Sequence, residues 1–71
     1  MKIQVNQRGS WRNFVSFDAE GGDGRDRFLQ VGGAVEPLAR VLGERTSWRI
    51  TEDDGAVIAY LDAPDYVWRR P

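Results

Sequence analysis

The sequence contains no cysteine and no histidine, and Lys2 is its one lysine. The first two absences together remove disulfides, zinc fingers, thiol nucleophiles, Cys–His pairs and the commonest general base. No apolar run approaches the roughly 18 residues of a spanning helix, and Met1-Lys2-Ile3-Gln4-Val5 lacks the apolar stretch of a signal peptide. The expected compartment is the cytoplasm, with no membrane partner. A formal charge of −1 at pH 7 leaves no strong positive field of the kind that non-specific binding to nucleic acid requires. Ser10, Ser16 and Ser47 have no histidine to activate them, and Asp53 and Asp54 fall in a turn, so an enzyme is not expected. Neither a metal nor a cofactor is expected.

The length sets a second limit. A chain of 71 residues holds one domain, and folding at this size removes only about 60% of the surface exposed by the unfolded chain. Domains below about 70–80 residues seldom gain more than about 3–5 kcal/mol from their core, and lean on disulfides, a metal, idealised packing or a partner chain. Here packing or another chain remains. A composition of 41% hydrophobic residues, with three Trp, two Tyr and three Phe, is too apolar and aromatic for a disordered chain.

From the N-terminus, Ile3 and Val5 alternate with Lys2, Gln4 and Asn6, the period of a half-buried strand. Arg8-Gly9-Ser10 supplies a turn. Residues 11–19 follow as a second strand with Trp11, Val15, Phe17 and Ala19 on one face and Phe14 on the other, completing a hairpin. Residues 20–26 contain three glycines and no apolar side chain and read as a mobile loop.

Between residues 27 and 43, Phe28, Val31, Val35, Leu38 and Leu42 form a helical stripe interrupted by Gly32-Gly33 and Pro37. An interior Gly costs about 1 kcal/mol and an interior Pro about 3 kcal/mol relative to Ala. The segment therefore divides at the glycines into a third strand over residues 27–31 and a helix over residues 34–42 capped by Gly43. One longer, kinked helix is the alternative. Downstream, Trp48 and Ile50 share a face, Glu52-Asp53-Asp54-Gly55 makes a turn, and Val57, Ala59 and Leu61 point inward. The fold class is thus α+β, an antiparallel sheet of four or five strands with one helix on one face, in the order ββ(β)αββ. Residues 64–71 form an aromatic and basic tail that is expected to dock on the domain or a second subunit.

Two segments echo each other: Arg8-Gly9-Ser10-Trp11-Arg12 and Arg45-Thr46-Ser47-Trp48-Arg49, with a further Trp-Arg pair at Trp68-Arg69. Strand alternation turns adjacent residues to opposite faces, so the simplest reading buries each Trp and exposes the Arg after it. The functional reading gathers Arg and Trp on a surface for a protein or for nucleobases. Asp18, Glu20, Asp23 and Asp26 do not have the spacing of a calcium loop, and Gly21-Gly22-Asp23-Gly24 lacks the ending of a phosphate loop. The candidate interaction surface is Arg12, Arg49, Tyr66, Trp68, Arg69 and Arg70.

The expected function is a small non-enzymatic protein-interaction module or an accessory or inhibitor protein. Its expected partner is another protein or a second copy of itself. A nucleic-acid-binding domain and a structural subunit of a larger assembly are the alternatives.

Overall fold

The computed structural model describes residues 1–18 and 24–71, with side chains described outside residues 24–26. The chain forms β1 (Lys2–Asn6), β2 (Trp11–Ser16), α1 (Gly24–Leu42), β3 (Ser47–Thr51) and β4 (Val57–Leu61). The four strands make one sheet in the order β2-β1-β3-β4, with every neighbouring pair antiparallel. Because β2 and β3 both run against β1, they are parallel to each other with β1 between them. Their connection has to cross the sheet, and α1 makes that crossing.

The register fixes which side chains face the helix. Ile3 stands opposite both Val15 and Ile50, Val5 opposite Trp48, and Trp48 and Ile50 opposite Leu61 and Ala59. Ile3, Trp48, Ile50 and Leu61 are fully buried there beneath Val35 and Ala39 of α1. Lys2, Gln4, Arg49 and Tyr60 belong to the opposite face by the same register.

Residues 27–31 are helix, not a third strand, and Gly24 to Asp26 already belong to it, so the sheet has four strands and not five. The rest of the loop expected over 20–26 lies outside the described residues. Two positions explain why α1 continues where propensity alone would stop it. Gly33 is four residues before Pro37, so the carbonyl that loses its N–H partner and meets the proline ring is that of Gly33. Both residues are exposed, and a carbonyl on the solvent side of a helix can tilt outward towards water. Gly32 is buried, and a side chain there would lie 3.2 Å from the Trp68 indole nitrogen. Tertiary packing thus overrides the local preference against glycine.

The buried face of α1 is also rotated from the expected stripe. At 3.6 residues per turn, Gly32, Val35 and Ala39 form its centre, and all three are buried. Small residues at the centre let the helix lie close to the sheet. The larger Val31 and Leu38 fall to the flank and are only partly buried, while Leu42, expected in the core, is 43% exposed in the last turn. Gly43 then ends the helix at φ 83°, a left-handed conformation that suits glycine, with its N–H donating to the Ala39 carbonyl at 2.9 Å.

Two register shifts correct the expected strand faces. In β2 one extra residue lies between Asn13, opposite Gln4, and Val15, opposite Ile3. That bulge puts Trp11 on the open face, away from Val15, and brings Phe14 to the helix side against Trp48. In β4 a similar shift sets Val57 opposite Thr51, where unbroken pairing from Ile50 and Ala59 would put Ile58, and packs Ile58 against the core.

Candidate interaction surfaces

The open face of the sheet carries an ordered polar and aromatic cluster. Gln4 on β1 sits between Asn13 on β2 and Arg49 on β3 in the register. Its Nε2 donates to Asn13 Oδ1 at 2.9 Å, and its Oε1 accepts from Arg49 Nε at 2.6 Å. One amide therefore orients both neighbours. The Arg49 guanidinium lies 4.1 Å from the centroid of the Trp11 ring, and Trp11 reaches Tyr60 with ring centroids 6.4 Å apart. A guanidinium stacked on an indole is attracted by the ring's negative face, a contact of about 0.5–1 kcal/mol at exposed sites.

A different surface lies on the helix side, where the flank of α1 leaves a gap beside β2. A largely apolar trough of about 450 Å³ is lined there by Phe14 and Val15 of β2 and by Gln30, Val31, Ala34, Val35 and Leu38 of α1. Phe14 is 51% exposed at its rim and Val15 is 37% exposed. The Phe14 and Trp48 ring centroids lie 5.2 Å apart with their planes nearly perpendicular.

The residues singled out from the sequence are distributed over three places. Arg49 joins the open-face cluster. Arg12 stands opposite Val5, exposed, beside a hollow shared with Gln7, Arg8 and Ser10. The remaining four belong to the tail, which folds back along β4. Tyr66 and Trp68 pack partly buried against the core, and the Arg40 guanidinium lies 5.5 Å from the Tyr66 ring. Arg69 exchanges two backbone hydrogen bonds with Tyr60, at 2.8 and 2.7 Å, and its side chain forms an ion pair with Asp65. Arg70 is exposed.

The structure does not gather these six residues into one patch. Trp11, Gln4, Asn13 and Tyr60 complete the cluster around Arg49, and apart from the alternation of Trp11 with Asn13 no local spacing links them. Their common face follows from the β1–β2 bulge and the placement of β1 between β2 and β3. The trough was also outside reach of the sequence, although Phe14, displaced from the expected inward set of β2, was its one visible sign. Among the described residues, no three carboxylates converge as metal ligands would, and no helix is long and apolar enough to cross a membrane.

Fold and surfaces together define a small α+β domain, a four-stranded antiparallel sheet with one helix across one face. No protein-family model, curated protein or solved structure matches this chain.

Proposed function

We propose that this chain is a non-enzymatic protein-interaction module that works through the trough between β2 and α1, with a second copy of itself as the partner. The observation that carries the reading is the pairing of a knob and a hole on one patch. Phe14 projects beside an apolar hollow lined by Val15, Val31, Ala34 and Leu38. A two-fold interface requires a self-complementary patch of this kind, since each copy offers the same surface. A thin core adds a motive, because a partner supplies burial that a domain of this size lacks.

The contact is made by side chains and not by pairing of β2 edges. The bulge at Phe14 breaks the regular spacing that a continuous strand ladder needs, and such bulges blunt an edge against pairing. The other sheet edge, β4, is partly closed by the tail through the Tyr60–Arg69 bridge.

The test is mass by light scattering over a dilution series, comparing the unmodified chain with Phe14→Asp. The reading expects the unmodified chain to pass from monomer to dimer mass as concentration rises, and the variant to remain monomeric while still folded. A monomer mass throughout for the unmodified chain rejects it.

A further inference from the structure

We infer that the open face of the sheet is a second, separate binding site, for single-stranded nucleic acid, with a base stacked on Trp11. The face is chemically distinct from the trough. Its centre is an indole already backed on one side by a guanidinium, flanked by Tyr60 and by the amides of Gln4 and Asn13. Arg49 is held in place by its bond to Gln4, so the stacking platform exists before any ligand arrives. Aromatic rings bind bases through their faces without regard to sequence, and side-chain amides can bond to base edges.

Charge supports this occupant over a peptide. The whole chain has 11 acidic residues against 10 basic ones. Yet the strand register puts Lys2 and Arg49 on this face with no strand carboxylate, and the bridge to Tyr60 adds Arg69 with its paired Asp65. Two acidic residues of the flanking segments are engaged: Asp53 Oδ1 lies 3.1 Å from the Met1 ammonium, and Asp65 pairs with Arg69. Acidic groups elsewhere give the chain its net charge while this face stays cationic and aromatic. An anion with a stackable ring matches both features.

The same arrangement sets how the binding behaves. With Arg69 already paired to Asp65, Lys2 and Arg49 are the cations left on this face to neutralise phosphate, about two in all. The slope of log affinity against log salt for a single strand is then about −1.4 or shallower, at about −0.7 per phosphate. Stacking, not charge, provides most of the affinity.

The experiment is a titration of the nitrogen-15-labelled full chain with a ten-nucleotide oligo(dT), followed through its indole N–H signals. Oligo(dT) is expected to move the Trp11 signal, while the signals of buried Trp48 and of Trp68, bonded to Gly32, stay in place. Trp11→Ala should weaken binding at least about fivefold, the lower end of the known stacking contribution per base, and Trp11→Phe should restore most of it. Phe14→Asp should leave it unchanged, which separates this site from the self-association surface. The oligonucleotide titration on the unmodified chain decides the matter even where Trp11→Ala folds poorly. No movement of the Trp11 signal, a salt slope much steeper than −1.4, or movement caused by a proline-rich peptide and not by oligo(dT) each overturns the inference.

Discussion

The indole N–H of Trp68 donates a hydrogen bond to the Gly32 carbonyl at 2.8 Å, joining the C-terminal tail to the middle of α1 across 36 residues. The same indole nitrogen would lie 3.2 Å from a Cβ built on Gly32. The tail therefore accounts for a glycine in the interior of a helix. Its neighbour Gly33 has nothing within 4 Å of such a Cβ, so the two glycines have different reasons to be there.

That difference is measurable. Gly33→Ala is expected to stabilise the domain by about 0.5–1 kcal/mol through helix propensity. Gly32→Ala gains the same propensity but crowds Trp68, so its net effect should be smaller or negative. In a chain truncated after Pro64 the two substitutions should become equal. Denaturant unfolding of the two variants in both backgrounds gives the coupling directly.

Truncation after Pro64 is expected to destabilise the domain by at least about 1.5 kcal/mol, because Tyr66 and Trp68 lose their packing on the core. At about 4–8 °C per kcal/mol for a domain of this size, thermal melting should fall clearly. Trp68→Phe, which keeps a ring and loses the donor, should cost about 0.5–1.5 kcal/mol. An unchanged melting temperature for the truncated chain would show that the tail contributes nothing.

The core has a sharp gradient along α1 and the sheet. Ile50 is fully buried, so Ile50→Ala should cost about 2–5 kcal/mol. Leu38 is only partly buried, and Leu38→Ala should cost less than Ile50→Ala. Val41 is 82% exposed, so Val41→Ala should change stability by no more than about 0.5 kcal/mol. Unfolding free energies in any other order would mean that α1 is rotated from the face described.

Local patterns revealed much of this architecture. The alternation of Ile3 with Val5 and of Trp48 with Ile50 marked two strands, and the glycine turn at 55 marked the β3–β4 hairpin. What escaped was set by contacts distant in sequence. Gly32 and Pro37 argued against a continuous helix because the partner that tolerates Gly32, Trp68, lies 36 residues away. The helical stripe was traced through large residues, whereas burial centres on small ones, Gly32 and Ala39. The Trp-Arg repeats suggested equal roles for three tryptophans. Their surroundings instead divide them: Trp48 is core, Trp68 fastens the tail, and Trp11 lies on the open face beside Arg49. A single-residue bulge in β2 produced that last placement, and alternation alone carries no sign of it.

The central claim is that two copies meet with Phe14 of each in the trough of the other. An isotope-filtered nuclear Overhauser experiment tests it most directly, on an equal mixture of carbon-13-labelled and unlabelled chain at the highest attainable concentration. The account predicts cross-peaks between unlabelled Phe14 ring protons and labelled methyl groups of Val31 and Leu38, lost when Phe14→Asp replaces the unlabelled chain. Absence of any intermolecular cross-peak at those methyl groups would contradict it.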